Sequence, residues 1–268
     1  MIRGVLVAID VGNTNIKYSL VHDGAVVSMG HIPTPQSEFV AAVDEWIEGL
    51  LDEGRPDPTG GEFVVVSVVP AVTEAIRDSA GRHRIPVLVA DQSTIPIQMR
   101  VDHPEAVGDD RLINAYAALL LHGAPAIVVD MGTATTFDVV DADGAFIGGA
   151  IAAGAGLGLE ALASGTAQLP NVPLVMPPSA IGRNTIAAMQ SGAVIGHSGL
   201  VHVLIRAITE ELVAGGGGAP KVILTGGLST AEWARAIPSV DVIDPYLTLE
   251  GLARLHQEVA QPAPVAQA

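Results

Sequence analysis

Cysteine is absent from this 268-residue chain, which excludes disulfide frameworks, thiolate zinc centres and cysteine nucleophiles. Lysine is nearly absent. The two present, Lys17 and Lys221, follow Ile16 and Pro220, and a Walker-type phosphate loop requires a Gly-Lys pair, so that chemistry is excluded as well. Thirteen basic residues against twenty-nine acidic ones give a net charge of −16. Such a surface repels nucleic acid and anionic membranes. An anionic ligand therefore needs positive charge supplied locally or by a metal. No uninterrupted apolar run reaches the roughly 18 residues of a membrane span. The opening "MIRGVLVAIDVGN" meets a charge and turn residues instead of a small-residue cleavage site, so it reads as a first strand and predicts a cytoplasmic protein. The eight histidines form no HExxH pair, and His197 and His202, five apart, miss the spacing of a helical metal site, which leaves them structural or solvated.

What is present is a repeat. "VAIDVGNTNIKYSLVHDG" matches "VVDMGTATTFDVVDADG" in register, with Asp10 and Asp130, Gly12 and Gly132, Asp23 and Asp143, and Gly24 and Gly144 each 120 residues apart. In each copy an apolar strand reaches Asp-x-Gly, continues as a second strand and turns back at Asp-Gly, a strong hairpin signal. One isolated Asp-x-Gly is an ordinary turn whose Asp caps the loop. Recurrence with flanking strands argues for two similar domains, each presenting a bare backbone and a carboxylate. Glycine lets backbone N–H groups approach phosphate oxygens, while Asn13, Thr14, Thr133 and Thr135 offer side-chain donors. Because the carboxylates would repel phosphate, a cation is expected between them and the ligand. Two such turns suit two halves closing on one polyanion.

Elsewhere the pattern predicts alternating strands and helices, hence a mixed or parallel α/β sheet. Residues 36–53 carry apolar positions at helical spacing; "EFVVVSVVP" reads as a buried strand with Pro70 opening a helix, and "PVLVA" as a short strand. "GDDRLINAYAALLLHG" predicts a helix with Asp109 and Asp110 at its N-cap, ended by Gly123. Arg111 in the first turn opposes the macrodipole by about 0.3–1 kcal/mol, which a bound carboxylate would offset, as would the two neighbouring aspartates. "GGAIAAGAGLG" reads either as a flexible loop or as a close-packing segment, and the proline-rich stretch 169–185 as an extended loop ended by Asn184 and Thr185 at a helix start. "KVILTGGLS" predicts a strand running into Gly226 and Gly227, either a plain turn or a bed for a flat adenine. The domain boundary is expected near residue 113, giving domains 1–113 and 114–268 with a fraying tail after 261.

The order Asp-x-Gly-Asn-Thr, Asp-x-Gly-Thr, strand-Thr-Gly-Gly resembles the nucleotide-binding plan of the actin and sugar-kinase superfamily. More narrowly, "DVGNTN", "SVVP", "GDDR", "DMGTATTFD", "GGAI", "TAQLP", "IGRNT", "MQSG" and "LTLEGL" together resemble type III pantothenate kinases over nearly the whole chain. That resemblance implies an α/β fold of two duplicated ribonuclease-H-like domains with mixed sheets flanked by helices, a homodimer, and ATP-dependent phosphorylation of pantothenate, the first step toward coenzyme A. It implies that Asp10, Val11, Gly12, Asn13, Thr14, Asn15, Ile16 and Lys17 form a first phosphate loop, with Asp10 toward Mg²⁺. It implies ATP contacts at Thr133, Gly226 and Gly227 and a monovalent cation, K⁺ or NH₄⁺, at Asp130. It also implies that Asp110 is the catalytic base and that Gly108, Asp109, Arg111 and Thr185 line the pantothenate site, Thr185 across the dimer interface. The chain departs from the family pattern at Ala153, Gly165 and Arg183, and Val101 lies near where a tyrosine often contacts substrate. A superfamily kinase for another acid or sugar and a nucleotide-binding paralogue without turnover are the competing readings.

Overall fold

The computed structural model describes residues 5–22, 25–52 and 61–260, which divide into two compact units. Unit 1 runs to Ile97 and adds His103–Ala117 and the segment from Leu247; unit 2 comprises Gln98–Asp102 and Ala118–Tyr246. The expected turn at Asp23 and Gly24 and the tail after 261 lie outside the described residues.

Unit 1 opens with three antiparallel strands, β1 (Leu6–Val11), β2 (Asn15–His22) and β3 (Ala25–Pro33). Helix α1 (Phe39–Asp52) leads to β4 (Glu62–Ser67), and α2 (Pro70–Arg82) leads to β5 (Val87–Val89). The sheet order is β3-β2-β1-β4-β5, with β4 parallel to β1 and β5 parallel to β4. The central strands are covered on both faces, so they are continuously apolar: Val7 to Ile9 and Phe63 to Val66 have no exposed surface. Helix α1 buries Val43, Ile47 and Leu50, the stripe its sequence spacing predicts. Pro70 occupies the first turn of α2, where its missing N–H leaves no bond unmade.

Unit 2 repeats this plan. Strands β6 (Ala126–Met131), β7 (Ala134–Val140) and β8 (Phe146–Ala153) are followed by α4 (Ala155–Gly165) and by α5 (Thr185–Ser191), which continues through a π-helical turn at Gly192–Gly196 into α6 (His197–Ala214). Then come β9 (Lys221–Thr225) and β10 (Val242–Ile243). The order β10-β9-β6-β7-β8 is the order of unit 1 with each strand replaced by its counterpart five positions later. The duplication read from the two Asp-x-Gly stretches is therefore a duplication of whole sheets.

The copies differ in register. Asp10 lies opposite Lys17, whereas Asp130 lies opposite Thr136, so the β6–β7 turn is one residue shorter than the β1–β2 turn. The ungapped sequence match hides this because both turns are made of small residues. The segment "GGAIAAGAGLG" is not a loop: it forms the end of edge strand β8 and the start of α4. Small residues on alternating positions gave it no apolar periodicity.

Helix α3 (Asp109–His122) runs through the division between units, which falls at Ala117 and Ala118. The C-terminal helix α7 (Leu247–Ala260) differs from the expected division 114–268, because it packs with unit 1 on β1, β2 and β4. Leu247, Leu249, Leu252 and Leu255 are buried there, and His256 hydrogen-bonds Glu62. An apolar helix face announces that a core receives it, not which one. Among the described residues one continuous helical stretch, Thr185–Ala214, is long and apolar enough to cross a membrane by length and composition. Met189, Val194, Val201 and Ile205 from that stretch are buried in the structure.

Candidate active site

In unit 1 the β1–β2 turn is held by backbone and side-chain hydrogen bonds. The Gly12 N–H donates to the Asn15 carbonyl at 3.0 Å, and the Thr34 hydroxyl donates to the Gly12 carbonyl at 2.7 Å. A side chain at Gly12 would place Cβ 3.2 Å from that Asn15 carbonyl. Asn13 and Thr14 stand exposed at the tip. Asp10, at the end of β1, has Lys17 Nζ at 4.0 Å from Oδ2, so the cross-strand pair brings a positive charge to the carboxylate. The Val11 and Ile16 side chains are buried and anchor the turn in the core.

The second element of unit 1 is the start of α3. The helix begins at Asp109, so the two aspartates occupy its first turn and do not precede it as caps. The Asp110 Oδ1 accepts from the Arg111 N–H at 2.9 Å, and a Cβ at Gly108 would come within 2.5 Å of the same oxygen. Glycine there leaves the carboxylate its place. Gln92 braces the approach to the helix, its Nε2 donating to the Pro104 and Val107 carbonyls at 2.9 and 3.0 Å. The Asp109 carboxyl is held above the ordinary carboxylate range, chiefly by burial and then by the neighbouring charges of Asp91 and Asp110, against the pull of a Gln92 backbone hydrogen bond.

In unit 2, Gly132 and Thr133 form the turn between β6 and β7. The Gly132 N–H donates to Ala134 O at 2.9 Å and the Gly154 N–H to Thr133 O at 3.0 Å. A Cβ at Gly154 would collide with the Gly132 carbonyl, so only glycine lets the end of β8 close on the turn. Gly226, at φ +92°, lies against Asp130: a Cβ there would collide with Asp130 Oδ1 and reach Met131 N at 2.6 Å. Gly227 is open, with no atom near its Cβ direction. Asp130, Thr133, Gly226 and Gly227 thus gather at the C-terminal ends of the parallel pair β6–β9, where open α/β sheets bind ligands.

Thr135 corrects an expectation. It is fully buried and its hydroxyl sits 3.0 Å from His197 Nε2, so it is bound within the protein and does not offer itself as a ligand donor. His197 also meets Trp233 edge to face, and burial pulls its pKa below the usual histidine value, which favours the neutral ring. A structural role for His197 agrees with its spacing in the sequence; its partnership with Thr135, 62 residues away, left no mark there. Thr185 opens α5 behind Asn184, whose side chain accepts from the Ala187 N–H at 2.8 Å. It lines a cavity of about 540 Å³ with Gly154, Leu162, Met189, His197 and Leu200.

Among the described residues no group of three or more acidic, histidine or cysteine side chains is arranged to hold a metal. Each unit offers one carboxylate at a strand end, Asp10 or Asp130, beside open backbone. That donor set suits an ion held partly by phosphate oxygens, because Mg²⁺ commonly takes one or two protein carboxylates and keeps its remaining positions for substrate and water.

Two five-stranded sheets of one strand order, three antiparallel strands followed by two that add in parallel, define the ribonuclease-H-like fold of actin-like ATPases. The fold is shared at a TM-score of 0.51 with the activator of the 2-hydroxyisocaproyl-CoA dehydratase from Clostridium difficile, solved with bound ADPNP, at 15% identity over 98% of this chain and all of that one. It is shared equally with the ethanolamine utilization protein EutJ from Carboxydothermus hydrogenoformans, at 15% identity over 92% of this chain and 88% of that one. Sequence comparison narrows the class. The family model for type III pantothenate kinase matches residues 6–207. Type III pantothenate kinases from Cereibacter sphaeroides and Thermomicrobium roseum are each 41% identical, over 94% and 95% of this chain and 98% of theirs. The chain belongs to the type III pantothenate kinase family.

Proposed function

We propose that this kinase transfers the γ-phosphoryl group of ATP to the terminal hydroxyl of pantothenate, opening coenzyme A synthesis, with the residues assigned as follows. The observation that carries the reading is the recurrence, in one sheet order, of a carboxylate at the end of the first strand followed by a glycine turn with exposed polar side chains. Asp10 to Lys17 form the first phosphate loop, Asn13 and Thr14 donating from its tip and Lys17 adding the local positive charge that an acidic protein otherwise lacks. Thr133 serves as the phosphate contact of the second turn, and Gly226 and Gly227 give backbone for the nucleotide to lie on.

Asp110 accepts the proton of the attacking hydroxyl as its oxygen forms a bond to the γ-phosphorus and the bond from that phosphorus to the β–γ bridging oxygen breaks, releasing ADP. Such transfers need positioning and charge neutralisation more than covalent help. Arg111 binds the pantothenate carboxylate, which offsets its unfavourable place in the first helical turn. Gly108, Asp109 and Thr185 complete the acceptor site. Asp10 would hold Mg²⁺ and Asp130 a monovalent cation, K⁺ or NH₄⁺; bound there, these ions neutralise phosphate charge. The enzyme works in the cytoplasm, where ATP and K⁺ are plentiful, as a homodimer. Supporting the dimer, β8, α4, α6 and the loop before α5 leave Ile151, Leu157, Leu162, Ile181 and Val203 exposed, Ile181 by 80%.

The test is ADP release by the purified protein with ATP, Mg²⁺ and K⁺, with and without pantothenate. Pantothenate-dependent release is expected. Release only with other acceptors, or nucleotide binding without release, overturns the substrate or the activity respectively. Within that assay Asp110→Asn is expected to lower kcat by about 10²-fold or more while leaving ATP affinity nearly intact. Full activity in that variant would reduce Asp110 to a helix-terminal residue.

A further inference from the structure

Helix α7 carries the "LTLEGL" stretch, which no step above uses, and it meets the helix that bears Asp110 through a polar contact. The Thr248 hydroxyl donates to Asn114 Oδ1 at 2.7 Å, and both residues are buried, with 7% and 2% of their surface exposed. One turn further along α7, Gly251 allows a close crossing: a Cβ there would lie 2.7 Å from Ala117 Cβ and 3.2 Å from the Ile113 carbonyl. The three α3 residues in this contact, Ile113, Asn114 and Ala117, fall on one face of the helix. Asp110 stands four residues before Asn114, one turn toward the N-terminus on that face. Helix α7 also packs on β1, β4 and β2, and β1 is the strand that carries Asp10 next to its last residue. One helix therefore joins the base-bearing helix to the strand of the first phosphate loop.

We infer that Thr248, acting through Asn114, is a positioning residue for Asp110, fixing the axial and rotational setting of α3 so that the carboxylate is held at the acceptor hydroxyl. The inference rests on Asp110 being the base. A buried amide oxygen bonded to a hydroxyl tolerates little sliding, because any shift of one helix along the other breaks the bond with no water to replace it. An apolar contact of the same area would permit sliding. Misplacement of a reacting group by about 1 Å costs on the order of 10²-fold in rate, so loss of the pin should be felt in kcat and hardly in nucleotide binding.

The test compares Thr248→Val, which keeps shape and removes the donor, with Thr248→Ser, which keeps the donor, each alone and combined with Asp110→Asn. Thr248→Val is expected to lower kcat about tenfold with the KM for ATP unchanged, Thr248→Ser to restore it, and Thr248→Val to have no further effect in the Asp110→Asn background. Gly251→Ala, which wedges the same crossing apart, is expected to reproduce the kcat loss and serves if Thr248→Val does not fold. If Thr248→Val or Gly251→Ala lowers only the melting temperature, with kcat per folded enzyme unchanged, the positioning role is lost while Asp110 stands. An equal loss in both backgrounds also overturns it, since the effect then bypasses Asp110. Full activity of Asp110→Asn alone removes the base assignment and this inference with it.

Discussion

Gly226 and Gly227 are neighbours with opposite constraints. Gly226 combines a left-handed backbone with a Cβ direction aimed at Asp130, whereas Gly227 faces open space. Gly226→Ala is therefore expected to destabilise the protein by about 1–3 kcal/mol, the cost of forcing a side chain into that conformation, and to weaken nucleotide binding by moving Asp130. Gly227→Ala should melt like the parent, so that any loss of ATP affinity reports ligand approach alone. Thermal melts and nucleotide titrations of the two variants check this; equal melting temperatures would mean that the Gly226 contact relaxes without cost. At this scale the sequence carried much of the candidate site. The types and spacing of Asp10, Gly12, Asp130 and Gly132 marked two like turns, which the structure places at the ends of corresponding strands, whereas the roles given to the "GDDR" run came from the family resemblance, its residue types alone reading as a helix start. The sequence was silent on Thr135: Thr133 belongs to the turn before β7, whereas Thr135 is the second residue of the strand and is buried with its hydroxyl at His197, and a run of small residues does not show where the turn stops and the strand begins.

At the level of elements, the apolar runs of β1, β4, β6 and β9 and the spacing of α1 and α3 were readable, since burial on two faces or on one stripe leaves a periodic trace. Strand β8 and the start of α4 were not, because glycine and alanine leave none. The assignment of α7 to its unit was equally hidden: two cores of the same architecture demand the same kind of helix face. The π-helical turn before α6 sets the element-scale prediction. It delivers His197 into the core beside Thr135 and Trp233, where burial lowers its pKa from the ordinary 6.5. The unfolded chain then takes up a proton near that pH that the folded one refuses. Stability from the neutral ring is complete above pH 6.5 and is lost as the pH falls below it. His197→Phe keeps a ring against Trp233 but cannot titrate. It is expected to be less stable at pH 7, having orphaned the Thr135 hydroxyl, yet to lose less stability between pH 7 and pH 5 than the parent. Melting temperatures across that range decide it, and parallel curves would show that the imidazole is not held neutral.

For the whole molecule, charge and apolar surface pull in opposite directions. Each chain carries a net charge of −16, so two copies repel at long range, while the exposed aliphatic residues of β8, α4 and α6 gain by being covered. Salt screens the first effect, with a Debye length falling from about 30 Å at 0.01 M to about 10 Å at 0.1 M, and leaves the second in place. The proposed homodimer should therefore tighten as salt rises, the reverse of an association built on complementary charges. Sedimentation velocity across a dilution series at the two salt concentrations measures this directly. Leu157→Glu and Val203→Glu change side chains that are 41% and 51% exposed, so each should leave the fold of a subunit intact while shifting the protein to monomer. Because the family resemblance implies that Thr185 serves the acceptor site from across the interface, those monomers are expected to keep nucleotide binding and lose most pantothenate-dependent turnover. Monomers that turn over pantothenate as fast as the parent would mean that each chain completes its own acceptor site, and a dimer that loosens with salt would mean that charged groups, not this aliphatic surface, hold the two copies together.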